Sequence, residues 1–118
     1  MAITRAFPDL RSNDLPATKA FYTGLIGFDL SMEERDFLLF SSPSNPQVQV
    51  SVNGDFGILP PGFTVDVGEA SRVTEIHAAA VDQGHRIVEP LDDKPWGIRR
   101  FSLLDPSGQR VTVLAHIT

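Results

Sequence analysis

The sequence predicts an α+β fold made of two copies of a β-α-β-β-β module. Three observations carry that expectation. The first is a closing hairpin over residues 95–116, PWGIRRFSLLDPSGQRVTVLAH, with a strand over 97–104, a tight turn at Asp105-Pro106-Ser107-Gly108 and a second strand over 109–115. Pro106 pre-sets its own φ, Asp105 and Ser107 offer local side-chain hydrogen bonds, and Gly108 can take φ > 0. The second is a pair of amphipathic helical stretches, each stopped by a glycine. The third is period-two alternation of apolar and polar residues in the runs around those helices.

The elements follow in order. Residues 3–12, past Pro8, read as a strand. Asp14 is a good N-cap with Pro16 tolerated in the first turn. Ala17, Phe21 and Leu25 then recur at i, i+4 and i+8, which predicts one buried helical face, and Gly27 is placed to end the helix. Residues 28–32 and 36–41 read as strands joined by Glu33-Glu34-Arg35. After a turn over 42–46, Val48, Val50 and Val52 alternate with Gln47, Gln49 and Ser51. Residues 54–61, rich in Gly and Pro, read as a linker. The pattern then restarts, with Phe63, Val65 and Val67 on one strand face. A helix over 69–83 carries Val73, Ile76 and Ala80 on one side and ends at Gly84. A short strand over 85–88 and a loop over 89–95 lead into the closing hairpin.

The helix starts at Asp14 and Glu69 differ by 55 positions, the helix-stop glycines 27 and 84 by 57, and the turn prolines 43 and 106 by 63. That growing offset places the extra residues in the 91–95 loop. The organisation expected is one domain over 1–118, with modules at about 1–53 and 62–118. Their curved, antiparallel-rich sheets would carry helices outside and line a shared cavity inside.

Composition narrows the function. The 118 residues suffice for one compact domain, and 42% apolar with 21% charged residues argues against disorder. A net charge of −5, with no basic cluster beyond Arg99-Arg100, argues against nucleic acid as a partner. The absence of cysteine excludes disulfides, thiolate nucleophiles and thiolate-bound metals, and suits a cytoplasmic location. No stretch approaches ~20 apolar residues and MAITRAFPDL lacks the apolar run of a signal peptide, so no membrane association is expected.

DLPATKAFYTGLIGF (14–28) and PWGIRRFSLLDPSGQRVTVL (95–114) resemble the vicinal oxygen chelate superfamily, which includes glyoxalase I, bleomycin-resistance proteins and extradiol dioxygenases. The resemblance covers essentially the whole chain and is closest in character to the bleomycin-resistance type. It implies a U-shaped cavity, a homodimer and, in the enzymes, a divalent metal held by His, Gln or Glu. At the positions matching those ligands stand Phe7, Gln49, Gly62 and Thr112. Three or four imidazole or carboxylate ligands are needed for such a centre, so no metal and no cofactor are expected.

Strand parity selects the cavity-facing side chains. With the valines under the helices, Phe7, Asp9 and Arg11, Gln47, Gln49 and Ser51, Thr64 and Asp66, and Arg110, Thr112 and Leu114 face the other way. Such a lining suits a small amphipathic compound; exposure to solvent or to a dimer partner is the competing reading. Trp96, next to Pro95 and Gly97, can stack on a ligand, as the Pro-Trp-Gly segment of the resembling resistance proteins implies, or pack on its own hairpin. Phe37 could stack as well. Arg100 rather than Arg99 is the cavity candidate, because Phe101 and Leu103 read as core. It could pair with a ligand carboxylate or with Asp9 or Asp66; a surface ion pair is the competing reading for either arginine. His77 reads as a partly exposed surface residue, His85 as a structural partner of the helix's carbonyl end, and His116 alone could border the cavity.

The function expected is metal-free capture of an aromatic or amphipathic compound, antibiotics included, by a small-molecule-binding protein. The acidic surface would favour a cationic ligand. The alternative is a lyase, isomerase or dioxygenase acting on a small metabolite, with Asp9 or Asp66 as base without metal or with a metal site built from other positions. No catalytic residue is assigned.

Overall fold

The computed structural model describes residues 3–54 and 62–117; the linker expected over 54–61 lies, but for Gly54, outside the described residues. The chain divides into two compact units, one of residues 6–61, the other of 1–5 with 62–118. Each carries one β-α-β-β-β module.

The first unit contains β1 (Arg5–Arg11, all but its first residue), α1 (Leu15–Ala20), a π-helical turn (Phe21–Ile26), β2 (Asp29–Glu34), β3 (Phe37–Ser41) and β4 (Gln49–Asn53). Its strand order is β2-β3-β4-β1, with β1 parallel to β4 and the other pairs antiparallel. The second contains β5 (Gly62–Asp66), α2 (Ala70–Asp82), β6 (Ile87–Lys94), β7 (Ile98–Leu104) and β8 (Arg110–His116). Its order, β5-β8-β7-β6, repeats the same plan, with β5 parallel to β8. A parallel pair needs a crossover, and within each unit the helix and the two following strands supply it.

In the second unit, Val73 of α2 packs with Val67, Phe101, Val113 and Ala115, all buried, and with the half-buried Val65, Ile76, Leu103 and Val111. The His77 ring meets Phe101 edge-on, with centroids 5.0 Å apart. Residues 65, 111, 113, 101 and 103 therefore face the helix, and their alternates face away from it. α2 ends as its glycine requires: Gly84 takes φ +78° and the His85 N–H donates to the Ala80 carbonyl at 3.0 Å. At the closing turn, Asp105 Oδ1 accepts the backbone N–H groups of Ser107 and Gln109 at 2.8 and 3.0 Å.

Three expectations are corrected. The stripe Ala17, Phe21, Leu25 is not a buried face: Phe21 is 46% and Leu25 72% exposed. Asp14 does cap α1, accepting from the Ala17 N–H at 3.1 Å, but the helix widens after Ala20 into the π turn. There Thr23 Oγ1 donates to the Lys19 carbonyl at 2.7 Å, and Gly27 and Phe28 N–H both donate to the Tyr22 carbonyl. The wider turn carries Leu25 away from the sheet and leaves Leu15 and Tyr22 against Leu38, Phe40 and Val52. Second, residues 89–94 form a strand rather than a loop. Pro90 lacks a ladder N–H, but β6 is the edge of its unit's strand order and its register shifts on either side of Glu89, which accommodates the proline. Third, β4 begins at Gln49. Gln47 belongs to the preceding turn, where its N–H donates to Asn45 Oδ1, and Val48 is half exposed.

Candidate functional site

The predicted lining residues fall on the sheet faces turned away from each unit's helix. In the first unit, Phe7 and Asp9 of β1 are buried, Arg11 is exposed, and Phe37 of β3 is half-buried. Asp9 pairs in register with Ser51 of β4, whose hydroxyl donates to the Asp9 carboxylate. Gln49 Nε2 donates to Ser41 Oγ at 3.1 Å. In the second unit, Thr64, Asp66 and Thr112 are buried, and Asp66 accepts from Arg5 Nε at 3.1 Å and from the Gly68 N–H at 2.9 Å. Two clefts of about 360 and 530 Å³ flank α1 in the first unit. Of the predicted site residues, only Arg11 lines either one.

Arg99 and Arg100 separate as strand alternation requires. Arg99 turns to the helix side, donating to Thr74 Oγ1 at 3.0 Å and to both oxygens of Asp93 at 2.7 and 3.1 Å. That bond is the main reason the Asp93 carboxyl is held below its ordinary range and the Arg99 guanidinium raised. Arg100 lies on the opposite face, where Nη2 donates to Glu89 at 3.2 Å and the guanidinium carbon sits 5.6 Å from the centre of the Trp96 ring. Trp96 is 60% exposed.

Two residues of this face were not singled out from the sequence: Glu89 and Ser102. Ser102 Oγ donates to Glu89 Oε1 at 3.1 Å and lies 2.7 Å from Thr112 Oγ1, which also accepts from Arg110. Ser102 shares Arg100's parity and could have been found that way. Glu89 could not, because Pro90 masks the strand it belongs to.

At two of the positions that the resemblance gives for metal ligands, Gly62 and Thr112, the surroundings do not fit a metal. A Cβ at Gly62 would lie 2.0 Å from the Arg110 carbonyl oxygen, so no ligating side chain can stand there without a backbone shift. Thr112 already binds Ser102 and the Arg110 guanidinium, a positive charge where a cation would need to sit. The strand register also pairs Asp9 with Ser51 and Thr64 with Thr112, each first partner six residues before its helix. Ser51, rather than Gln49, is therefore the counterpart of Thr112. Among the described residues no three His, Asp or Glu side chains come together as a cation site.

Residues 4–113 match the model of the Glyoxalase/Bleomycin resistance protein/Dioxygenase superfamily, and the chain belongs to that superfamily. A sequence search of curated proteins gives no match. Among solved structures, a chain from Legionella pneumophila described as an NAD-dependent benzaldehyde dehydrogenase superposes at TM-score 0.75 with 17% identity, covering 94% of this chain and 98% of that one. A superfamily member from Vibrio splendidus 12B01 superposes at TM-score 0.71 with 21% identity, covering 94% and 97%. The Mn(II)-bound glyoxalase from Novosphingobium aromaticivorans superposes at TM-score 0.74 with 18% identity, covering 98% of this chain and 40% of that one. At these identities the likeness establishes the fold: α+β, two βαβββ modules, of the glyoxalase/bleomycin-resistance type. No helix among the described residues is long and apolar enough to cross a membrane.

Proposed function

We propose that this chain is a metal-independent small-molecule-binding member of its superfamily, taking an aromatic or amphipathic compound. The observation that supports this best is the pairing of Gly62 with Arg110. Backbone contact occupies the space a metal-ligating side chain would need, and the Arg110 guanidinium sits on Thr112. The groups assigned to the ligand in the second unit are Trp96 as the stacking surface and Arg100 beside it; in the first unit, taken by itself, Arg11, Phe37 and Gln49 are the assigned contacts. The remaining residues assigned to ligand binding are Phe7, Asp9 and Ser51 in the first unit and Thr64, Asp66, Arg110 and Thr112 in the second, each set on its own unit's sheet face turned away from the helix. A cytoplasmic homodimer is part of the same reading, and light scattering on the purified chain measures its mass.

The test is metal analysis of the purified protein, then thermal shift with Zn²⁺, Ni²⁺, Mn²⁺ and Fe²⁺. Substoichiometric metal and no rise in Tm are expected. Stoichiometric metal with a rise in Tm overturns the proposal in favour of a metal-dependent lyase or dioxygenase. Trp96 fluorescence, titrated with neutral and charged aromatic compounds, then measures binding directly.

A further inference from the structure

One donor on the polar face of the second unit lacks an acceptor. Arg100 Nε is buried and has no hydrogen-bond partner among the described residues, an arrangement native interiors rarely keep without a reason. Glu89 is close enough to engage Arg100 but does so through one oxygen only, Oε2 with Nη2. Its other oxygen is held elsewhere, and the hydrogen-bond chain shows why.

A guanidinium can only donate and a carboxylate can only accept. Arg110 donates to Thr112, and Ser102 donates to Glu89. The hydrogen between the two hydroxyls must therefore run from Thr112 to Ser102. Every proton in the row points toward Glu89. Ser102 is 1% exposed, so no bulk water competes for its hydroxyl. Glu89 Oε1 is pinned by Ser102, and the Nε–H of Arg100 is left over.

We infer that Arg100 and Trp96 recognise a planar compound bearing a carboxylate. The inference rests on the metal-independent binding reading and names its ligand class. The unmet group is a donor, so the ligand supplies an acceptor; a carboxylate matches the side-by-side N–H groups of a guanidinium edge better than a single carbonyl does. The ligand ring lies on Trp96. Because that side chain is 60% exposed and lies over the guanidinium, it is the group with room to turn aside and uncover Nε. Glu89 is a placeholder in this arrangement: it neutralises Arg100 when the face is empty and repels the incoming carboxylate. The chain's overall acidity is thus a poor guide to its ligand, since the local unmet valence has the opposite sense.

Calorimetric titration with benzoate, benzamide and benzamidine tests this on the full chain and on Arg100→Gln and Glu89→Gln, with circular dichroism as the check on folding. Of the three compounds, benzoate binds the wild type most tightly. Glu89→Gln, relieved of the like charge, binds benzoate about two- to fivefold more tightly, while Arg100→Gln weakens it about tenfold or more. Tightest binding of benzamidine, weakened by Glu89→Gln, overturns the inference and makes Glu89 the anchor for a cation. Benzoate binding unaffected by Arg100→Gln overturns it as well. If none of the three binds but a neutral aromatic compound quenches Trp96 in metal-free protein, the carboxylate inference fails and the binding reading stands. Stoichiometric metal would instead remove the reading beneath it.

Discussion

Gly62 and Arg110 face each other in the parallel β5–β8 ladder so closely that a Cβ on the glycine would stand 2.0 Å from the arginine's carbonyl oxygen. The contact is between backbones, so no rotamer change can relieve it. Gly62→Ala should therefore cost about 1–3 kcal/mol, the usual range for overpacking. Chemical denaturation measures it, and an unchanged midpoint would refute the close approach.

The first helix offers a paired comparison. Tyr22 packs its ring 5.2 Å from that of Phe40 and 6.3 Å from that of Phe28, whereas Leu25 is 72% exposed. Tyr22→Ala should lose about 2 kcal/mol, a large-to-small penalty reduced because the ring is half-buried. Leu25→Lys should stay within about 0.5 kcal/mol of the wild type. The sequence stripe alone predicts the reverse order, so the two midpoints decide between a regular helix and the π turn.

Thr112 links Arg110 to Ser102 in the second unit's hydroxyl row. Thr112→Val keeps the shape, removes the hydroxyl and should cost about 1–3 kcal/mol by stripping both neighbours of a partner. Thr112→Ser restores the hydroxyl and should recover most of that loss. Equal stability of the valine and serine variants would show that the row contributes nothing.

The Asp93 carboxyl is held below its ordinary value of 3.8, chiefly by the hydrogen bond from Arg99. A carboxyl whose pKa is lower in the folded chain stabilises the fold above its unfolded value, and that contribution disappears as pH falls through the folded one. Asp93→Asn should lower Tm at neutral pH, and the gap to the wild type should close as pH falls below the carboxyl's ordinary value and through its lower folded one. Added salt should narrow it too, since the pair is exposed. A gap independent of pH would mean that it does not arise from the Arg99–Asp93 pair.

The strands and turns that local chemistry specifies were legible in the chain. The closing hairpin is one: Asp105 and Gly108 fulfil their turn roles through bonds spanning four residues or fewer, with no help from distant elements. The separation of Arg99 from Arg100 is another, because a strand's period of two is fixed by the pleat. Legibility failed at Glu89, where a proline argued for a loop although edge strands tolerate one. It failed again at Leu25, where helical spacing was read on a helix that changes its pitch.

By itself, then, the sequence determined the order of elements, the duplication of the module and the superfamily, since turn residues, caps and alternation act over a few bonds. Only the tertiary structure decided which polar groups meet. The row from Arg110 through Thr112 and Ser102 to Glu89 draws on three strands, and the bulges of β6 set its last member. Its direction follows from which ends can only donate and only accept. The unpartnered Nε of Arg100 is a consequence of that register, and no pattern along the chain encodes it.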